Sequence, residues 1–374
     1  MAQILVAPDK FKGSLPAQQV ADSVIGGLRA AVAGIDAIAV PVADGGEGTL
    51  AAALAAGFTP VPVTAGGPTG TPVRTAYARR DALAVVEMAD VSGLARLPGG
   101  RLEARRASSR GVGEVIAAAL DAGCTTIVLG IGGSACTDGG SGLAQALGAR
   151  VLDAQGGQLP EGGAALVHVD EVDLSGLHPR LAEAEIIVAC DVDNPLTGPD
   201  GAAAVYGPQK GASAADVAVL EQALLRWAKA LAAATGSDLS DRPGAGAAGG
   251  VGLAGLALLG GTLRSGIDLV LELVGFHDHL SNARLVVTGE GALDAQTLRG
   301  KAPAGVAAAA ASAGVPAVAV CGTSRLSQSD LRSAGIAAAY SLHDLEPDLH
   351  RCMTDAAPLL EQLGRMIALE HLQA

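Results

Sequence analysis

The sequence ILVAPDKFKGS, at residues 4–14, is a short apolar run closed by proline and followed by a polar, glycine-containing loop. An Ala- and Val-rich segment continues to residue 32 and has Pro16 near its start, where the first turn of a helix tolerates proline. Residues 38–42 form the next apolar run, and the acidic glycine segment 44–49 opens another predicted helix. This strand–helix–strand alternation is typical of a parallel sheet covered by helices.

The pattern changes between residues 61 and 88, where short apolar runs alternate with Gly-Pro and Asp turns. Such runs predict antiparallel strands and the start of a second domain. Regular alternation returns near residue 285. We therefore predict an α/β protein with two domains. One is a discontinuous Rossmann-like domain at 1–60 plus 285–374, with a parallel sheet and helices on both faces. The other is a smaller mixed α/β domain inserted at 61–284.

The 374-residue chain has a formal net charge of −13 and only 2% aromatic residues, so it lacks the basic face of a general nucleic-acid or anionic-membrane binder. Its five scattered cysteines, with no C-x-x-C pair, are typical of a reducing compartment. No signal peptide is expected, and the uncharged, glycine-rich stretch 243–263 favours a buried loop–helix junction over a membrane span. We expect a soluble, cytoplasmic protein that binds neither nucleic acid nor membrane.

Five loops that combine glycine with charge follow predicted strands, at residues 7–14, 43–49, 130–140, 190–196 and 288–294. Glycine lets backbone N–H groups approach an anion closely, and carboxylates can hold a divalent metal or take a proton. Neither the Walker A pattern nor the protein-kinase motifs occur. The loops predict phosphate chemistry at the carboxyl ends of a parallel sheet, outside the P-loop enzymes.

The charged residues of the first two loops permit two interpretations. Lys10 and Lys12 can hold a phosphate or carboxylate, or can be ordinary solvated lysines. Asp44 and Glu47 can hold a metal, or can cap the helix that follows them. The two glycines after Asp44 exceed what a helix cap requires.

The loop at 130–140 begins with Gly-Ile-Gly-Gly-Ser-Ala, which fits the dinucleotide pattern G-x-G-x-x-A. The following residues delay the helix that should start inside that pattern, and a glycine nest serves ATP phosphates equally well. Asp191 follows an apolar strand and can accept a hydroxyl proton, while Asn194 can orient a substrate or mark a turn. The residues leave three classes open: a kinase, an NAD(P)-dependent dehydrogenase using the Gly130 loop, and a binding protein for a small acid. The excess of carboxylates beside glycines favours the kinase.

Together and in this order, the loops resemble the bacterial glycerate kinase family that makes 2-phosphoglycerate. The resemblance covers nearly the whole chain, through segments 8–14, 44–49, 132–135, 191–196, 207–211, 246–250 and 288–291. Cys136 and Thr137 stand where the family usually has Thr and Asn, and Asp193 stands where Thr is common. The resemblance implies an active site in a cleft between two α/β domains, and ATP- and Mg²⁺-dependent phosphorylation of D-glycerate at its 2-hydroxyl. Glycerate 3-kinase regiochemistry stays open, because the two hydroxyls differ by a small displacement of the substrate.

The predicted site residues come from these segments. Asp191 and Lys12 are the predicted catalytic residues. The predicted glycerate contacts are Asp9, Lys10, Ser14, Asn194 and Lys210, and the predicted nucleotide contacts are Gly132, Gly133, Ser134, Asp138, Gly289 and Glu290. Asp44 and Glu47 are the predicted metal ligands. The predicted ligands are glycerate, ATP and Mg²⁺, and a homo-oligomer is left open.

Overall fold

The computed structural model describes residues 3–372, which form strands, α-helices and short 3₁₀ segments. The strands are β1 (Gln3–Pro8), β2 (Ala37–Ala39), β3 (Thr59–Gly66), β4 (Pro72–Arg80), β5 (Leu83–Glu87), β6 (Thr126–Gly130), β7 (Arg150–Leu152), β8 (Glu171–Asp173), β9 (Glu185–Ala189), β10 (Thr262–Arg264), β11 (Ala283–Leu293), β12 (Ala317–Ser324) and β13 (Ile336–Ser341).

The α-helices are α1 (Ala17–Ala31), α2 (Thr49–Ala55), α3 (Met88–Ser92), α4 (Arg110–Asp121), α5 (Ser141–Ala146), α6 (Ala202–Tyr206), α7 (Ala214–Thr235), α8 (Ala247–Ala257), α9 (Gly266–Leu273), α10 (Phe276–Leu280), α11 (Ala302–Ser312), α12 (Gln328–Ser333), α13 (Leu342–Leu345), α14 (Leu349–Thr354) and α15 (Ala356–His371). The 3₁₀ segments are Leu94–Arg96, Pro98–Gly100, Gly163–His168, Pro179–Glu183, Pro208–Lys210 and Thr297–Arg299.

The chain divides into two compact units that are discontinuous in sequence. The first comprises the described residues up to Asp44, Ala51–Gly57 and those from Ile267 onward, and the second comprises Gly45–Leu50 and Phe58–Gly266. The inserted unit is the larger of the two, not the smaller as predicted, because its main segment alone exceeds 200 residues. The predicted domain borders at 60 and 284 stay a prediction. Within the first unit, α9 and α10 contribute Val270 and Phe276 to its core.

The first unit contains a parallel sheet in the order β13-β12-β11-β1-β2. Alternate residues of β1 enter different cores, Leu5 and Ala7 on one face and Ile4 and Val6 on the other. A strand buried on both faces is what a parallel sheet between two helix layers requires. Helices α1 and α15 cover one face, and α9 and α11 cover the other. The predicted Rossmann-like sheet is confirmed.

The second unit contains a mixed sheet in the order β10-β9-β6-β5-β4-β3. Strands β5, β6, β9 and β10 are parallel, whereas β4 is antiparallel to both β3 and β5. The antiparallel strands predicted from residue 61 onward are therefore present, and β5 joins them to the parallel part. Strands β7 and β8 form a separate antiparallel pair.

The uncharged stretch 243–263 contains α8, and residues 249–255 of that helix are buried, as predicted for a loop–helix junction. Its second to fourth residues, Ala248, Gly249 and Gly250, have left-handed φ angles of 53°, 72° and 95°. Among residues 3–372, no helix is long and apolar enough to cross a membrane.

Candidate active site

The carboxyl ends of β1 and β11 lie at a topological switch point of the first sheet. From β1 the sheet continues to β2, and from β11 it continues to β12 in the opposite direction. Ligands of open α/β sheets bind in the crevice at such points. Asp9 directly follows β1, its N–H donates to the carbonyl of Gly289 at 2.8 Å, and Glu290 is the next residue of β11. The first unit thus brings these three predicted residues together.

Asp9 is a buried carboxylate, 7% exposed. Its pKa is raised to about 7, mainly by burial and in smaller part by the nearby carboxylates of Asp44 and Glu290, against the opposing charge of Lys10. Lys10 donates its N–H to Asp9 Oδ1 at 2.6 Å and places its Nζ 3.7 Å from the same oxygen. The carboxylates of Asp9, Asp44 and Glu290 therefore form one acidic group in the first unit. Lys10 lies beside it.

Glu290 is also buried, and burial raises the pKa of its carboxyl group. Its Oε1 accepts a hydrogen bond from Thr297 Oγ1 at 2.5 Å, and its Oε2 lies 3.8 Å from Lys301 Nζ. Packing requires glycine at residue 289, because a Cβ there would lie 2.2 Å from the carbonyl oxygen of Val320. Thr297 was not predicted, because its contact depends on the turn between β11 and α11.

The loop after β1 is held at both ends. Phe11 is buried and exchanges backbone hydrogen bonds with Leu15, and Ser14 Oγ donates to the carbonyl of Met353 at 2.6 Å. Ser14 therefore anchors the loop to the segment before α15. Lys12, between these anchors, has an exposed side chain.

In the second unit the carboxyl ends of the parallel strands are in register. Glu87 of β5 is opposite Gly130 of β6, and Gly130 is opposite Ala189 of β9. Residues 45–50 of the acidic loop pack here, because Gly132 N–H donates to the Gly45 carbonyl at 3.4 Å. A Cβ on Gly130 would lie 2.7 Å from that same carbonyl oxygen. The glycines of both loops therefore permit close backbone contact.

Glu87 is a residue that the sequence analysis missed. It is 6% exposed and accepts the N–H groups of Gly48 at 3.1 Å and Leu50 at 2.8 Å. A glutamate that ends an otherwise apolar strand was the available signal. Its carboxylate fixes the segment that contains Glu47, whose own side chain is exposed.

Most of the glycine loop at 130–140 is interior. Gly132 and Gly133 are accessible, whereas residues 134–140 are buried. Asp138 accepts Ser109 N–H at 2.8 Å, Ser109 Oγ at 2.9 Å and Gly140 N–H at 3.1 Å. Its carboxylate therefore organises the loop from inside. In a dinucleotide-binding site the helix starts within the glycine motif, whereas here α5 begins only at Ser141.

Lys210 lies beneath the same loop and is 2% exposed. Its Nζ donates to Ser134 Oγ at 2.9 Å and to the Cys136 carbonyl at 2.5 Å. Burial lowers the pKa of Lys210, although the neighbouring Cys136 and Asp138 oppose the shift. The structure joins Lys210 and Ser134 through these contacts, although the sequence analysis assigned them to different ligands.

The loop after β9 carries Asp191 and Asn194 in different environments. Asp191 is exposed, and its Oδ1 accepts the N–H of Gly266 at 2.8 Å. Asn194 donates from its amide to the Asp200 carbonyl at 2.8 Å and accepts from Tyr206 OH at 2.5 Å. Asn194 thus stabilises the loop that presents Asp191.

Three comparisons with known proteins agree with one another. The model of the glycerate kinase family matches residues 4–371. The chain belongs to the glycerate kinase family. It is 43% identical to a glycerate kinase of Bacillus subtilis (strain 168), covering 98% of this chain and 97% of that protein. It is 41% identical to a glycerate 2-kinase of Escherichia coli (strain K12), covering 91% and 90%. A crystal structure from Salmonella typhimurium LT2, provisionally named glycerate kinase 2, gives a TM-score of 0.85 at 40% identity, covering 99% and 98%.

As a member of the glycerate kinase family, the protein is an enzyme with small-molecule substrates, and the family implies ATP as the phosphate donor. This membership selects the kinase among the three classes left open by the residues. Within residues 3–372, no group of three or more His, Cys, Asp or Glu side chains is arranged to hold a metal ion.

Proposed function

We propose that the protein transfers the γ-phosphoryl group of ATP to the 2-hydroxyl of D-glycerate, giving 2-phospho-D-glycerate and ADP. The observation that carries this proposal is the near full-length match to a relative named glycerate 2-kinase. The buried carboxylates and lysines at the switch point of the first sheet support it, because phosphoryl transfer depends mainly on positioning and charge neutralisation.

Asp191 is the proposed acceptor for the proton of the glycerate hydroxyl. Its exposed carboxylate has one oxygen fixed by the N–H of Gly266, which sets the direction of the group. Lys12 would neutralise charge on the transferred phosphoryl group or hold the glycerate carboxylate. Asp9 and Lys10 would contact glycerate directly.

The other predicted contacts act mainly by holding loops in this proposal. Ser14, Asn194 and Lys210 each bond to a neighbouring backbone carbonyl, so they would position the charged residues beside them. Gly132 and Gly133, the accessible part of their loop, would face the nucleotide phosphates. Ser134 and Asp138 would support that loop from below, and Gly289 and Glu290 are the other proposed nucleotide contacts.

Mg²⁺ is proposed with Asp44 and Glu47 as its protein ligands. The carboxylates of Asp44 and Glu290 are close enough to Asp9 to raise its pKa, so the first unit offers the oxygen donors that Mg²⁺ prefers. One or two carboxylates suffice, because Mg²⁺ usually takes its other ligands from water and substrate phosphates. When bound, Mg²⁺ would neutralise charge on the phosphates. A cytoplasmic location remains a prediction, and the oligomeric state stays open.

The test is a coupled assay with D-glycerate, ATP and Mg²⁺, run beside an NAD(P)H absorbance assay, with the product examined by phosphorus and proton NMR. We expect ADP formation that depends on glycerate, and phosphate coupling to the methine proton. Coupling only to the methylene protons would select 3-kinase regiochemistry. A glycerate-dependent change in NAD(P)H without ADP formation would select the dehydrogenase.

A further inference from the structure

A cavity of about 440 Å³ opens in the second unit, and none of its lining residues belongs to the predicted site. Pockets that hold small molecules measure about 300–1,000 Å³. The lining comes from the β3–β4 turn, the segment before α4, the first residue of α4, one residue of α5 and residues 158–161. These residues are Pro68, Thr69, Gly70, Arg106, Arg110, Gln145, Gln158, Leu159, Pro160 and Glu161. Its size and mixed lining suit a small polar metabolite.

The cavity lies at the edge of the sheet where β5 and β6 end. Strand β3 runs in the same direction as β5, because β4 is antiparallel to both, so Gly66 ends β3 at that edge. Helix α4 leads into β6, which places its first turn there as well. A Cβ on Gly111 would lie 2.0 Å from the Gly66 carbonyl oxygen, in agreement with this placement. Carboxyl edges of such strands are where α/β proteins bind ligands.

Three contacts hold the walls in place. Ser108 N–H donates to the Pro68 carbonyl at 2.8 Å and fixes the β3–β4 turn. Gln145 Nε2 donates to the Leu159 carbonyl at 3.1 Å, and Arg110 Nε lies 3.5 Å from Glu161 Oε1. A cavity with tethered walls needs little ordering when a ligand binds, which favours affinity.

The two arginines of the cavity differ in their partners. Arg110 Nε is 3.0 Å from Glu114 Oε1 and also near Glu161, so acidic side chains accompany its charge. Arg106 is exposed, and within residues 3–372 its guanidinium has no ion pair. In a chain of net charge −13, the cavity is thus lined by a guanidinium that no carboxylate of the described residues pairs with. The planar fork of arginine matches the oxygens of phosphate and carboxylate groups.

We propose that this cavity binds a small metabolite through a phosphate or carboxylate group held by Arg106. The side chains of Thr69 and Gln158 would supply further hydrogen bonds. The anion has two possible sources: the nucleotide or product of the kinase reaction, or a separate metabolite. The proposal rests on the cavity and not on the proposed function.

The test is calorimetric titration of the full-length protein with ATP, 2-phosphoglycerate and inorganic phosphate. Three proteins are compared: wild type, Arg106→Gln and the control Arg101→Gln, whose exposed side chain is paired with Glu103 and does not line the cavity. Arg106 is preferred to Arg110 because its removal breaks no ion pair. We expect at least one anion to bind Arg106→Gln at least tenfold more weakly, and Arg101→Gln to match wild type.

Steady-state kinetics on the same variants separate the two sources. A higher KM for ATP in Arg106→Gln at unchanged kcat would assign the cavity to the nucleotide. Weaker binding of phosphate or phosphoglycerate with unchanged KM values would assign it to a separate metabolite. The proposal is overturned if Arg106→Gln, with a wild-type melting temperature, binds all three anions as wild type does. These titrations need no turnover, so they remain decisive if glycerate is not phosphorylated.

Discussion

Asp191 and Asp193 lie two residues apart after β9, and both side chains are exposed. Asp191 accepts the N–H of Gly266, whereas no hydrogen bond to the Asp193 side chain occurs within the described residues. If Asp191 takes the hydroxyl proton, Asp191→Asn should lower kcat by about 10²–10⁴, the usual contribution of a positioned base. Asp193→Asn makes the same change of charge nearby and should leave kcat within about twofold, because this exposed side chain makes no hydrogen bond within the described residues. Near-normal kcat in folded Asp191→Asn would exclude Asp191 as the base.

Glu87 gives a second test for a single side chain. Replacing its carboxylate with an amide in Glu87→Gln keeps the shape but weakens two charge-assisted hydrogen bonds to Gly48 and Leu50. We expect the free energy of unfolding to fall by about 1–3 kcal/mol and the amides of residues 45–50 to exchange hydrogen faster. Glu185→Gln, at the exposed start of β9, is the matched control. Unchanged exchange at 45–50 would show that Glu87 does not hold this segment.

Lys210 and Asp138 show where reasoning from single residues stops. Both were predicted as ligand contacts, because they lie in the glycine-containing segments 130–140 and 207–211. The structure places both in the interior, where Lys210 binds a carbonyl and a hydroxyl and Asp138 binds backbone and hydroxyl donors. Ser109, Ser134 and Cys136 lie far from the side chains they bind in the sequence, so no local pattern could have indicated these contacts. The place of Asp9 at the carboxyl end of β1 was predictable, because it directly follows an apolar run.

At the scale of elements, the strands and helices of the first unit follow closely from apolar runs and proline. The run 285–288 predicted β11, but the strand continues through the Gly-Glu-Gly segment to Leu293. It continues because Ala292 and Leu293 pair with Thr323 and Ser324 of β12. Pairing with a neighbour outweighs the weak strand preference of glycine, and that neighbour is known only from the folded chain.

Strand β12 carries a pH-dependent contribution to stability at Cys321. Burial raises the pKa of this thiol from 9.0 to about 12, so the folded state keeps its proton where the unfolded chain loses it. The stabilising contribution is complete below pH 9 and is lost as the pH rises toward 12. The slope approaches about 1.4 kcal/mol per pH unit in that window.

Denaturant unfolding at pH 8–11 tests this contribution. Above pH 9 the free energy of unfolding should fall less steeply with pH in Cys321→Ala than in wild type. Val318→Ala removes apolar volume from the same strand but no thiol, so it should keep the wild-type slope. Equal slopes in wild type and Cys321→Ala would show that Cys321 does not titrate in this way.

At the scale of the whole molecule, the order of strands and helices along the chain explains which features of the fold could be predicted. The α/β class and the parallel sheet follow from alternation. The extent of the units does not, because residues 45–50 leave the first unit briefly and pack beside Gly130 in the second. That exchange depends on contacts between glycine backbones, which leave no hydrophobic periodicity to read. The roles of the site residues remain proposals for the same reason, since they depend on placement to about 1 Å.

The same chain order predicts which sheet forms first. In the first unit β1 pairs with β2 and β11, and Ile4 is opposite Leu285, so strands from opposite ends of the chain must meet. In the second unit β5 pairs with β6 and β6 with β9, which follow one another more closely in sequence. Closing a longer loop costs more entropy, and pairings between distant segments form more slowly.

Pulse-labelling hydrogen exchange during refolding measures this order directly. The amides of Ile127 and Val128 in β6 should gain protection before that of Val287 in β11, whereas the amide of Val286 donates to the carbonyl of Pro316 beside β12 and does not report contact with β1. Ile127, Val128 and Val287 are all buried on central strands, so the comparison is matched for burial. Earlier or simultaneous protection of β11 would mean that contact between the chain ends is not limiting. Local strand and helix propensity in the C-terminal third, and not the separation of the strands along the chain, would then govern how the first unit forms.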